Sequence, residues 1–257
     1  MENLIGTNVA GHSKFKNIMH RKGAQDKKRA KLFSRLIREI SVSAKLGSPD
    51  PDSNPRLRTA INNALSSNMT KDSIDKAIKK QSLNENKDSI EEIIYEGFGP
   101  SGVAIIVETM TDNKNRSAAE VRSTFSKYNG NLGVNGCVVH NFKKIGVVSF
   151  DKEISSFEKF FDFCASLNVD DVYEEESKFV LETNIESLNN IIETLEKEFS
   201  IPKFSEIEWK PLNVVDVNDE NDARVLLKLL ETLEDLEDVQ NVSSNFNIND
   251  SLMEKLI

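Results

Sequence analysis

Up to about residue 80 the apolar residues of this chain recur at helical spacing, and beyond residue 90 they do not. That single change of period divides whatever the chain folds into. At about 100° per residue, Leu32, Phe33, Leu36, Ile37, Ile40 and Ala44 share one side of a helix. Its start is expected near Ala24 and its stop at Gly47, with Pro49 and Pro51 just beyond. Asn54 then stands as N-cap before Pro55, a favoured pairing. Leu57, Ala60, Ile61, Ala64 and Leu65 follow it at i, i+3, i+4, i+7 and i+8. Thr70 caps a third helix expected to bury Ile74, Ala77 and Ile78. Three short helices with short connections make a small bundle.

Residues 82–89 are polar and aperiodic and read as a linker. Glu92–Glu96 and Val103–Thr109 then read as strands around a Gly- and Pro-rich turn, followed by a helix over Asn115–Tyr128. Residues 145–209 give strand Gly146–Phe150, helix Ser156–Leu167, strands Asp171–Glu175 and Lys178–Glu182, helix Ile185–Phe199 and strand Phe204–Trp209. That βαββαβ order is the split-βαβ, ferredoxin-like arrangement. Strand Leu212–Val217, helix Ala223–Leu236 and strand Val239–Ile248 are placed to complete the half-sheet begun before residue 128. The expected class is α+β: an N-terminal three-helix bundle and two ferredoxin-like α/β domains, the last inserted in the middle one. The expected boundaries are 1–80 for the basic helical domain, 90–144 plus 210–250 for the discontinuous domain and 145–209 for the insert.

The net charge of −9 conceals a second division. Residues 1–80 carry 17 Lys and Arg against 7 Asp and Glu, while residues 145–204 carry 5 against 14 and residues 205–257 carry 4 against 13. A basic segment of this kind points to a polyanion partner. On the first helix Lys28, Lys31, Arg35, Arg38 and Lys45 fall opposite the apolar face, giving a basic stripe. Aromatic-studded sheets can stack RNA bases, but the acidic charge of the 145–204 module makes its sheet a poor platform for phosphate. Binding belongs to the first 80 residues, and the acidic domains are left as a candidate docking surface for a basic protein.

Other chemistries find little support. The longest apolar run, Val103 to Val107, is far short of the roughly 20 residues of a membrane span, and no secretory pattern opens the chain. Two cysteines, Cys137 and Cys164, make no disulfide framework, and the reading is cytoplasmic. Gly97-Phe98-Gly99-Pro100-Ser101-Gly102 matches G-x-G-x-x-G, but a β-branched run follows where a dinucleotide loop needs a helix, so a hairpin turn is expected. His12, His20 and His140 form no ligand set with Cys or paired carboxylates. Cys164, beside Phe160, Phe161 and Phe163, reads as a buried packing thiol, and Asp170–Asp171 and Glu174–Glu176 as solvated acids. No catalytic constellation, metal site or cofactor is expected.

The stretch from Ala10 to Asp26, A-G-H-S-K-F-K-N-I-M-H-R-K-G-A-Q-D, resembles the opening signature of the YebC/PmpR family. Later blocks agree: Leu36-Ile37-Arg38-Glu39-Ile40, Asn54-Pro55-Arg56-Leu57-Arg58, Tyr95 to Pro100, Thr111 to Arg116, Gly130 to Gly133 and Leu236 to Val242. Phe15, Met19 and His140 depart from the family pattern, which usually has Trp, a basic residue and an aromatic there. The resemblance implies a helical domain followed by two α/β domains, in a bacterial cytoplasm or an organelle of bacterial descent. It implies a non-enzymatic regulator of gene expression: a DNA-binding transcriptional regulator, or alternatively a ribosome- or RNA-associated translation factor that relieves stalling or activates translation. A third class is a scaffold whose acidic domains hold a basic protein. The residues expected to touch nucleic acid are Lys14, Lys16, Arg21, Lys22, Lys27, Lys28, Lys31, Arg35, Arg38 and Lys45. The signature also places Val9 where the initiator methionine usually stands, so that residues 1–8 are expected to be an upstream extension.

Overall fold

The computed structural model describes residues 25–83, 90–175 and 177–256. Helix α1 (Gln25–Leu46) is followed by α2 (Pro55–Ser66) and α3 (Lys71–Leu83). One side chain ties the first two together. Asn54 Oδ1 accepts the Leu57 N–H at 3.1 Å, capping α2, while its Nδ2 donates to the carbonyls of Ser43 and Ser48 at 2.8 and 2.7 Å. An N-cap thus also ties α2 to the last turn of α1 and to the loop that follows it. Thr70 Oγ1 accepts the Ser73 N–H at the start of α3. The bundle core is Leu36, Ile40, Ala44, Leu57, Ala60, Ala64, Met69, Ile74 and Ala77. Leu32 and Ile37, expected in that core, are among its exposed apolar residues at 39% and 37%. They sit at the two margins of the arc centred on Leu36 and Ile40, where a helix of this radius meets solvent.

Strands β1 (Glu91–Phe98) and β2 (Ala104–Thr111) form an antiparallel hairpin, with Glu96 opposite Ile106. The glycine-rich segment is its turn, as expected, with Ser101 and Gly102 at positive φ of 57° and 75°. Gly97 is required for a different reason: a Cβ there would lie 2.7 Å from the Asn131 carbonyl oxygen and 2.8 Å from the Phe125 ring. Helix α4 (Lys114–Lys127), capped by Asn113, leads to the short β3 (Asn131–Leu132).

The next module runs β4 (Phe142–Asp151), α5 (Phe157–Ser166), β5 (Asp171–Glu174), β6 (Lys178–Thr183), α6 (Ile185–Glu198) and β7 (Phe204–Pro211). Its sheet order is β5-β6-β4-β7, with β6 antiparallel to both neighbours. This is the split-βαβ order read from the sequence. Alternate residues Val148, Phe150, Phe179 and Leu181 turn to the helices and meet Phe160, Cys164, Leu188, Ile191 and Leu195. The Phe160 and Phe179 rings stack at 5.3 Å.

The chain returns through β8 (Val215–Asp216), α7 (Glu220–Asp235), β9 (Val239–Ser244), β10 (Phe246–Asn247) and α8 (Asp250–Leu256). Strand β9 pairs with β2 and completes a sheet of order β3-β1-β2-β9, in which the hairpin lies at the centre. Ile105 and Val107 of β2, with Val103 just before it, supply the core and pack with Phe125, Leu226, Leu229, Leu230 and Leu233. The strand expected through Ile248 breaks at Asn245, whose Oδ1 accepts the Ala104 N–H at 2.8 Å and whose Nδ2 donates to the Asn213 carbonyl at 3.2 Å. Beyond the break β10 pairs in parallel with β8, and α8 follows where no helix is expected from the sequence.

By packing, the chain forms two compact units. One takes in Asp88–Lys143 with Lys210–Ile257, the other Arg29–Lys87 with Lys144–Trp209. The helical bundle and the inserted module therefore share a unit. Within it, α2 runs beside the edge strand β7: Asn63 bonds the backbone of Ser205, Ser66 Oγ donates to the Pro202 carbonyl, and Arg58 pairs with Glu193 of α6 at 3.3 Å.

Candidate nucleic-acid interface

The first described turn of α1 begins inside the basic segment. Lys14, Lys16, Arg21 and Lys22 lie outside the described residues; Lys27 and Lys28 lie in α1, their side chains outside what is described. Lys31, Arg35 and Arg38 occupy one face of α1, each half-buried, with further interactions of their own. Long cationic side chains commonly lay their methylenes along a surface and keep the charged head in water. On the opposite side of the helix, Arg29 stacks its guanidinium over the Phe33 ring at 5.3 Å. Lys45 is exposed in the last turn, where a cation complements the helix dipole.

The row is interrupted. Val42 falls on the same side of the helix between Arg38 and Lys45, and it is 2% exposed. From Ile40 to Ala44 every residue is buried, so this stretch of α1 is surrounded by protein. The stripe read from the sequence is thus a cluster of cations up to Arg38 and a separate cation at Lys45. Over the seven residues from Lys31 to Arg38 an α-helix rises about 10 Å, a length suited to a few phosphates.

The other family-like blocks take on structural work. Glu39 and Arg56, one from each of the first two blocks, form a bidentate pair: Nε to Oε1 at 2.7 Å and Nη2 to Oε2 at 3.0 Å. Glu96, 3% exposed on β1, accepts the N–H groups of Gly136, Val138 and Val139 at 2.6, 2.8 and 2.9 Å. Burial works to raise its pKa, but those three donors and the nearby His140 outweigh it and hold the carboxyl below its usual range. The carboxylate therefore fastens the 136–139 loop to the sheet. Asp238, 2% exposed, accepts from Thr111 Oγ1 at 2.9 Å and from Arg116 Nη2 at 2.8 and 3.1 Å, while Arg116 also reaches Asp112 at 2.8 Å. The Thr111–Arg116 and Leu236–Val242 blocks are one network, joined again where the Met110 N–H meets the Asp238 carbonyl at 2.9 Å.

Sequence reasoning did not find these roles. Apart from the i,i+4 pair of Asp112 and Arg116, the partners lie 17 to 127 residues apart, and no local pattern marks them. Cys164 is a fully buried core thiol, as expected. Among the described residues no group of three or more His, Cys, Asp or Glu is placed to hold a metal ion, and no helix is long and apolar enough to cross a membrane.

Comparison with known proteins covers nearly the whole chain. Residues 13–84 match the TACO1/YebC N-terminal domain, and residues 90–246 match the TACO1/YebC second and third domain. A "probable transcriptional regulatory protein" of Rickettsia bellii is 48% identical over 248 residues, 96% of this chain and 98% of its own length. A "probable transcriptional regulatory protein" of Ehrlichia ruminantium is 45% identical over 249 residues, 95% of this chain and all of its own. The crystal structure of a conserved hypothetical protein from Aquifex aeolicus superposes with a TM-score of 0.83 at 43% identity, covering 91% of this chain and 96% of that one. On both its family matches and its relatives, the chain belongs to the TACO1/YebC family.

Proposed function

We propose that this protein is a non-enzymatic regulator of gene expression that binds DNA through its basic helical domain. The observation that carries the reading is the row Lys31, Arg35 and Arg38 on one face of α1, with Leu36 and Ile40 anchoring that helix in the bundle core. Cations held on a rigid element position a phosphate backbone, which fixes register without reading bases. The names of the Rickettsia and Ehrlichia relatives support the regulatory half of the reading.

The test uses the full-length chain with Lys31, Arg35 and Arg38 all reversed to Glu. Circular dichroism should be unchanged, because substitutions away from the core typically cost within about 0.5 kcal/mol each. Affinity for duplex DNA should fall, and the slope of log K against log salt should flatten by roughly two to three units, about 0.9 per lost phosphate contact. A folded variant with unchanged affinity and slope overturns the proposed surface. A competition arm with structured ribosomal RNA decides the partner: RNA displacing DNA at equal salt would move the reading to the ribosome.

A further inference from the structure

Helix α2 carries a wider apolar stripe than its bundle covers. Leu57, Ala60 and Ala64 are buried, but Ile61 is only partly covered and Leu65 is 38% exposed, although both stand at core spacing. On α3 the same holds for Ile78, partly buried beside the fully buried Ile74. These four residues, with Pro49 and Pro51 from the preceding loop, line a groove of about 390 Å³ between the two helices. Clefts of roughly 300 Å³ and above are in the range that admits a ligand group.

The rim of the groove has a sign. Lys71, Asp75 and Lys79 follow at i, i+4 and i+8 along α3 and line the groove. They make no ion pair among the described residues, whereas on the neighbouring row Lys76 is neutralised by Asp72 at 2.6 Å. Two lysines flanking one carboxylate leave the groove edge positive. An apolar floor between two helices, with pairs at i and i+4 on each wall, matches the way an amphipathic helix is received, through anchors at i, i+3 or i+4 and i+7.

We propose that this groove is a docking site for a short amphipathic helix of a partner protein, aliphatic on the face it buries and bearing carboxylates along the edge that meets Lys71 and Lys79. Charge complementarity selects the acidic partner: a basic helix would meet two ammonium groups against one carboxylate, and like charges opposed at an interface are penalised. The site lies within residues 49–79, and none of its lining residues is one assigned above to phosphate.

The test is selection of a displayed library of random 16-residue peptides on the full-length protein at physiological salt. Enriched peptides should carry aliphatic residues at helical spacing with flanking Asp or Glu, and should shift the methyl resonances of Ile61, Leu65, Ile74 and Ile78. Leu65→Glu, and separately the double reversal Lys71→Glu with Lys79→Glu, should each weaken the selected peptides about tenfold or more, as truncating an interface anchor does. Both variants should keep the native circular dichroism, and the double reversal should leave duplex-DNA affinity within about threefold, since the phosphate contacts are assigned to α1. Selection that enriches nothing, enriches basic peptides or shifts methyls elsewhere overturns the proposal. So does a double reversal that weakens DNA and spares the peptides, which would make the groove edge part of the nucleic-acid surface. Concentration-dependent dimers abolished by Leu65→Glu would overturn it too, assigning the groove to a second copy of this chain.

Discussion

Asn63 on α2 grips the backbone of Ser205 on β7 with both halves of its side-chain amide. Its Oδ1 accepts the Ser205 N–H at 2.9 Å, and its Nδ2 donates to the Ser205 carbonyl at 2.6 Å. Strand β7 is an edge of its sheet, and an edge exposes backbone groups that invite pairing with another chain. Here an amide side chain stands in for one residue of a neighbouring strand. Both residues are buried, at 8% and 4% exposure, so water does not compete. Asn63→Ala should cost about 2 kcal/mol, because two buried backbone groups lose their partners. The midpoint of urea unfolding and hydrogen exchange at the Ser205 amide measure it. A variant as stable as the parent, with the Ser205 amide still protected, would show that the edge is held by other contacts.

Glu96 predicts a pH dependence with a definite sign. Its folded pKa lies below its ordinary value, so the ionised form favours the folded state. That stabilisation is complete above the unfolded pKa, about 4.3, and is lost as pH falls through the lower folded value. Glu96→Gln removes the charge and leaves three N–H donors, those of Gly136, Val138 and Val139, with one carbonyl oxygen to share. The variant should be about 1.5–3 kcal/mol less stable at pH 7, and the gap from the parent should narrow below pH 4. Unfolding curves at pH 7 and pH 3.5 give both numbers. A gap that stays constant across that range would contradict the assignment of the charge to the loop.

The two thiols should separate cleanly by reactivity. Cys164 is fully buried, and burial pushes its pKa up to about 12. Cys137 is partly accessible, its pKa also raised, first by burial and then by the Glu96 charge. The thiolate is the reactive form, so a disulfide reagent at pH 8 should modify one thiol slowly and the second only in denaturant. Two rapid equivalents in the native protein would contradict the packing of α5 on its sheet.

Much of the architecture was legible because its signals are local. The Asn54-Pro55 cap, the Thr70 cap and the Gly97–Gly102 turn each resolve within a few residues. The order of strands and helices over 145–209 follows from alternation against helical spacing, and the structure reproduces it. Less legible was how far a helix is covered. Leu32 and Ile37 have the spacing of core residues but stand at the margins of the buried arc, while Ser41 and Val42 are buried although they fall outside it. Periodicity reports one packing face, and residues 40–44 of α1 are enclosed on all sides. Side-chain grips on distant backbone, such as Asn63 on Ser205 across 142 positions, leave no local trace at all.

Val42 offers a direct test of that enclosure and of the proposed interface together. By the sequence pattern alone, Val42→Lys extends the basic row from Arg38 toward Lys45 and should tighten binding. In the structure Val42 is 2% exposed, so the new ammonium would be taken out of water without an assigned partner. Burying an unpaired charge costs several kcal/mol after relaxation, so the variant should unfold at a markedly lower urea concentration and gain no affinity. Lys45→Glu supplies the contrast. Lys45 is exposed and about 10 Å of helix rise beyond Arg38, comparable with the screening length in physiological salt. Its reversal should cost no more than about 1 kcal/mol of stability, the loss of a cation from the helix C-terminus. On duplex DNA it should alter the salt slope by about one unit or less, against roughly two to three for the Lys31, Arg35 and Arg38 triple reversal. A stable Val42→Lys protein that binds DNA more tightly would mean that α1 presents one unbroken cationic face, and the boundary of the interface at Arg38 would have to be given up.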